Sequence, residues 1–84
     1  MDLATFTDRL QPPTAELLAA REAYVALWLN SDAEVAAGVT VETPEFQRLN
    51  RAADEALAGR GWLFGQRALS GAYALYGRRT AGRA

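Results

Sequence analysis

The stretch from Trp62 to Gly77 reads Trp-Leu-Phe-Gly-Gln-Arg-Ala-Leu-Ser-Gly-Ala-Tyr-Ala-Leu-Tyr-Gly. No proline interrupts it, and at about 100° per residue its apolar side chains spread over most of a helical wheel. Trp62, Leu69, Tyr73 and Tyr76 fall on one strip, Gly65, Ala68 and Ala72 on the next, and Phe64 and Leu75 on a third. Gln66, Arg67, Ser70 and Arg78 keep only a narrow polar face. About two-thirds of the circumference is suited to burial, more than the single stripe a helix at the edge of a small domain needs. In an 84-residue chain such a helix is covered either by all the other helices or by a second copy of itself. The small residues Gly61, Gly65, Ala68 and Ala72 permit the close backbone approach that a helix seam requires. Trp62, Gly65, Leu69, Ala72, Tyr73 and Tyr76 are therefore the candidate interaction residues.

The segments before it read as helices as well. Asp2 is a capping residue for a short helix carrying Leu3, Phe6 and Leu10 at helical spacing, and Pro12-Pro13 stops it because proline clashes with a continuing turn. Thr14 is the next cap. From Ala15 to Asn30, Leu17, Leu18, Tyr24, Val25, Trp28 and Leu29 lie on one side, with Glu16, Ala19, Ala23 and Ala26 opposite. Ser31-Asp32 then predicts a fresh start and a short turn of helix closed by Gly38. Val39 to Glu42 reads as a brief extended linker at a buried edge. Thr43-Pro44-Glu45 combines a cap, a proline at the first helical position and an acid in the first turn. It opens a helix to about Ala58, with Phe46, Leu49, Ala53, Ala56 and Leu57 inward and Gln47, Arg48, Arg51, Asp54 and Glu55 outward. Gly59-Arg60-Gly61 separates it from the Trp62 helix. The expectation is an all-α fold: a small helical bundle of three principal helices plus a short N-terminal helix, completed by dimerisation. Residues 1–77 form a single helical domain and 78–84 a flexible basic tail.

Charge is divided unevenly along the chain. Residues 1–58 hold four arginines and all ten acids, 4 − 10 = −6, and residues 59–84 hold five arginines and no acid, +5, which sums to the net −1 of the chain. A dipole of this size is answered by the other half of the molecule, by a second copy or by an anionic partner. Arg67 and Arg78 share the polar face of the Trp62 helix, and with Arg79 they are candidate anion-binding residues.

Composition removes most chemistry. Without cysteine or histidine there are no thiol nucleophiles, no Cys/His zinc sites and no histidine bases. Without lysine there is no Schiff-base chemistry and no P-loop. Asp54-Glu55 and Glu42/Glu45 read as solvated acids rather than cation ligands. No catalytic, cofactor-binding or metal-ligating residue is assigned, and no cofactor is expected. The start Met-Asp-Leu-Ala-Thr lacks the basic segment and apolar run of a signal peptide, and no stretch reaches the roughly 18 to 20 apolar residues that span a bilayer. A cytoplasmic protein without a membrane span is expected.

Arg21 stands within the apolar stripe of Leu17, Tyr24, Val25 and Trp28. A guanidinium there must be paired, because an unpaired buried charge is too costly. Asp54 and Glu55 are the expected partners, and capture of a ligand anion is the functional alternative. Leu17-Leu18-Ala19-Ala20-Arg21 resembles the start of the first helix of the small all-helical chorismate mutases, a resemblance of a few residues that ends where the family's lysine is missing. It implies an arginine-dependent helical enzyme. Weighed together, these residues favour a non-enzymatic, self-associating interaction module, a homodimer or the partner of another protein. A nucleic-acid-associated regulator using the C-terminal arginines comes second and the small enzyme third.

Overall fold

A computed structural model describes residues 2–82. It contains four helices: α1 (Leu3–Leu10), α2 (Ala15–Ala36), α3 (Pro44–Leu57) and α4 (Trp62–Thr80). Among the described residues there is no strand.

Three of the four starts are set by side-chain caps. Asp2 accepts from the Thr5 amide at 2.7 Å, Thr14 from the Leu17 amide at 3.1 Å and Thr43 from the Phe46 amide at 3.0 Å. Each removes one of the orphan donors at a helix N-terminus. The expected break at Ser31-Asp32 does not occur. The Ser31 hydroxyl donates back to the Leu27 carbonyl at 3.0 Å, a bond that keeps serine inside a helix instead of capping a new one. α2 therefore runs on to Ala36. It ends in a Schellman motif, with the Gly38 amide bonded to Val35 O, the Val39 amide bonded to Glu34 O, and Gly38 at φ +78°. Val39 to Glu42 carry no strand, and they are exposed rather than at a buried edge. α4 likewise outlasts its expected end at Gly77, so Arg78 and Arg79 stand on helix. Arg83, at the end of the expected tail, lies outside the described residues.

The helices form an open row. α2 packs against both α3 and α4, α1 packs on α4, and among the described residues no other pair packs along its length. The Cα radius of gyration is 13.7 Å, against about 12 Å for a compact domain of this size. The molecule measures 42 × 32 × 17 Å, so it is flat. A flat row buries little, and the composition of the core shows it. Of the eight apolar residues that are buried, Ala4, Ala20, Ala53, Ala68 and Ala72 are alanines, leaving Leu17, Val25 and Leu27 as the larger members. The heart of the core is Leu17, Ala20 and Ala68, flanked by Ala56, Leu57 and Phe64.

Two helices leave apolar strips outside. α4 turns Arg67, Ala68, Gly71 and Ala72 inward, while Trp62 and Tyr73 are 76% and 67% exposed. α1 buries Ala4 alone, and its Leu3, Phe6 and Leu10 are all exposed. Its amphipathic stripe therefore faces away from the chain's own core.

Replacing Thr43 with alanine removes the α3 cap and also the hydroxyl's bond to the Glu34 carboxylate at the end of α2. Thr43→Ala is expected to lower stability in urea denaturation by about 1–2 kcal/mol. Thr14→Ala, which loses only the cap bond, should lie at the lower end of that range.

Candidate functional site

A buried polar cluster joins α1, α2 and α4. Arg21 leaves α2 and crosses the surface of α4 at Gly71, where a Cβ would collide with its Cδ, Nε and Cζ. Only glycine leaves room for that passage. Its guanidinium then donates from Nε (3.2 Å) and Nη2 (3.0 Å) to the Arg67 carbonyl. The outer edge of the same fork holds both carboxylate oxygens of Asp8, at 2.7 Å from Nη1 and 3.1 Å from Nη2. From α4, Arg67 Nη2 reaches Asp8 Oδ1 at 2.8 Å and the Gln11 carbonyl at 2.7 Å. Arg21 and Arg67 are 6% and 8% exposed, so two buried guanidinium groups share one carboxylate. The Nε of Arg67 is buried without an acceptor.

Electrostatics follow the geometry. The Arg21 fork, with Arg67 adding to it, holds the Asp8 carboxyl below the ordinary carboxylate range, although partial burial opposes the shift. The partner of Arg21 is therefore Asp8, and the expected pairing with Asp54 or Glu55 is not found. Asp8 takes both ends of the Arg21 fork, and neither acid of α3 pairs with it. Asp8 carried no signal in the sequence beyond being an acid on the polar side of a short helix.

Of the remaining described C-terminal cations, Arg60 precedes α4, and Arg78 and Arg79 stand in its last turn. Arg79 makes a two-point pair with Glu22 of α2, both bonds 2.7 Å, and this pair holds the Glu22 carboxyl below its ordinary range. Arg60 lies over the Phe64 ring at 5.3 Å, a cation–π distance. Arg78 is exposed. The four candidate anion-binding arginines do not converge: Arg21 and Arg67 share Asp8, Arg79 belongs to Glu22, and Arg78 acts on Asp2 at the other end of α1.

The candidate interaction residues also divide. Ala72 is fully buried within the chain and is not available to a partner. Gly65, Leu69 and Tyr76 are half-buried, while Trp62 and Tyr73 are open. Tyr73 stacks on Trp28 of α2 with ring centroids 4.7 Å apart, and Trp28 meets Tyr76 edge-on at 5.7 Å and Tyr24 at 5.8 Å. Such spacings are those of packed rings, so the cluster braces α2 against α4 and holds no guest between its rings. On the other side of the strip, Leu3 of α1 faces Gln66, Leu69, Ser70 and Tyr73 across an open groove of about 630 Å³.

Among the described residues no group of acids is arranged to hold a metal ion, and no helix is long and apolar enough to cross a membrane. Compared with known proteins, the chain matches no family model, no curated protein and no solved structure. Arg21, which carried the chorismate mutase resemblance, is engaged by Asp8 rather than open to a ligand.

Two outcomes are expected from this cluster. Alanine normally stabilises a helix interior relative to glycine by about 0.8–1 kcal/mol. Gly77→Ala, with open space around its Cβ, should show that gain in thermal denaturation. Gly71→Ala should reverse the sign and cost about 2 kcal/mol or more, since the Arg21 side chain must leave its path. The second outcome concerns pH. Because the Asp8 carboxyl titrates lower in the folded than in the unfolded chain, its stabilisation is complete above the ordinary carboxylate value of 3.8 and disappears as pH falls through the depressed folded value. Wild type should therefore exceed Asp8→Asn in stability near neutrality by about 2 kcal/mol or more. In urea titrations at decreasing pH the gap should close only below about 4.

Proposed function

We propose that this chain is a non-enzymatic, self-associating helical module in which two copies close over the outer face of α1 and α4. The reading rests on one observation above the others: Leu3, Phe6 and Leu10 of α1 and Trp62, Leu63 and Tyr73 of α4 are outside, while the core is mostly alanine. Trp62, Tyr73, Phe6 and Leu10 are each more than half exposed, and Leu3 and Leu69 flank the groove that joins the two strips. Burial of apolar area contributes about 25 cal/mol per Å², and a chain near the lower size limit for independent folding needs that contribution from somewhere.

A second copy suits this face better than a charged partner. On α4 the strip holds Gln66 and Ser70 as polar members and, between Trp62 and Tyr73, no ionised side chain other than the inward Arg67, while Asp2 is the one acid lining the groove. Two copies carry −1 each, so their mutual repulsion is small. An isologous contact about a twofold axis sets the same strip against itself and gives α4 the neighbour that an open row lacks. Nucleic-acid binding is disfavoured by the same geometry, since Arg67 and Arg79 are already committed to Asp8 and Glu22.

Multi-angle light scattering at micromolar concentration should give twice the chain mass for wild type. Leu69→Glu and Tyr73→Glu should give the chain mass with helical content retained, because a carboxylate in an apolar seam is left unpaired. Ala72→Glu, by contrast, should unfold the chain, as its side chain is inside. A wild-type monomer at high micromolar concentration that still unfolds cooperatively would rule the dimer out.

A further inference from the structure

The Arg21 fork is assembled without any help from α1. Gly71 admits its stem, and the Arg67 carbonyl fixes Nε and one hydrogen of Nη2, so the edge that meets Asp8 is held in place by α2 and α4 alone. Arg67 adds a second guanidinium to the same carboxylate oxygen. The cluster carries two positive charges against one negative, 2 − 1 = +1, and the buried Arg67 Nε has no acceptor. Its donors and charge exceed what Asp8 supplies.

The helix that delivers Asp8 is weakly attached in every other respect. α1 buries only Ala4. Two further polar ties hold it: the Ala4 amide to the Ser70 hydroxyl at 3.0 Å and the Arg67 bond to the Gln11 carbonyl at 2.7 Å. Pro12 and Pro13 separate it from α2, and its apolar stripe points outward. A helix built only to complete a core turns that stripe inward. α1 instead turns a carboxylate inward, onto the Arg21 edge held by α2 and α4 and onto Arg67, whose own guanidinium bonds go to Asp8 and the Gln11 carbonyl.

We propose that Arg21 and Arg67 form a carboxylate-binding site whose resident occupant is the chain's own Asp8, with α1 as the lid that carries this internal ligand in and out. The ligand class is a carboxylate because that is what the slot holds: both Asp8 oxygens lie end-on against Nη1 and Nη2 of the Arg21 fork, and Arg67 Nη2 shares one of them. A phosphate edge suits the same fork, and thermal melts distinguish the two. An external carboxylate competes with a tethered one, whose effective concentration is of millimolar order or above. The site therefore responds to a ligand that is abundant or that gains further contacts in the groove vacated by α1. This inference does not depend on self-association.

Asp8→Ala empties the slot and leaves both arginines in place. Thermal melts of the full-length variant at neutral pH, with acetate or inorganic phosphate compared with chloride at matched ionic strength, test the site directly. Asp8→Ala should melt roughly 10 °C or more below wild type in chloride and recover at least about half of that loss with acetate, saturably. The wild type should respond about tenfold more weakly, because Asp8 competes. Asp8→Ala combined with Arg67→Gln should lose the acetate response. If Asp8→Ala is unfolded in chloride, acetate should restore its helical circular dichroism. Equal behaviour in acetate and chloride, failure of acetate to refold an unfolded variant, or an undiminished response without Arg67 would overturn the site. Saturation by phosphate at lower concentration than acetate would overturn the carboxylate assignment.

Discussion

Two buried guanidinium groups on one carboxylate are the constraint around which this chain is arranged. A charge inside a protein is tolerated only with a partner and hydrogen bonds in good geometry, and Arg21 satisfies that demand across three helices at once. Its stem fixes the approach of α2 to α4, because only glycine at position 71 leaves it room. Its bonds to the Arg67 carbonyl tie it to the α4 backbone, and its bonds to Asp8 bring in α1. Removing the carboxylate leaves two buried positive charges facing each other, which is a larger penalty than the loss of any single apolar contact in a core composed mostly of alanine.

The price of this arrangement is an unfinished surface. Polar ties hold α1 with its apolar stripe outward, and the row of helices has no fourth side to cover Trp62, Leu69 and Tyr73. Alanines at Ala68 and Ala72 let α4 approach α2 closely, but close packing of small side chains buries little area per helix. The same sequence choice therefore gives a tight interior seam and an exposed aromatic strip, and it is the strip that motivates self-association. The charge asymmetry of the sequence is partly resolved within one chain: Arg67 on Asp8 and Arg79 on Glu22 each bring a C-terminal cation onto an acid of the N-terminal half.

Much of the helical architecture was legible in the residues. Asp2, Thr14 and Thr43 act as the caps their types imply, Pro12-Pro13 separates two helices, and the inward face of α3 is the one its spacing gives. What could not be read was long-range. Ser31 has the same chemistry whether it caps a helix or bonds backwards within one, so the sequence suggested a break where α2 continues. The spacing of Leu3, Phe6 and Leu10 marks α1 as a helix without saying which side it buries, and the tie between Asp8 and the two arginines leaves that stripe outside. Arg21 was identified as a buried, paired cation from its place in an apolar stripe, but its partner depends on the order of helices in the row, which periodicity does not encode. Gly71 was not among the small residues singled out on this helix, and its role appears only once a side chain from another helix is seen crossing it.

The most direct test of this account is a double-mutant cycle between Asp8→Asn and Arg21→Met, measured by urea denaturation at neutral pH. A tie that organises three helices predicts that the two substitutions are strongly non-additive, with a coupling of about 2 kcal/mol or more, well above the 0 to about 1 kcal/mol of an exposed ion pair. Additivity within about 0.5 kcal/mol would contradict it, because Arg21 and Asp8 would then be independent and α1 would be held by something other than the buried guanidinium pair.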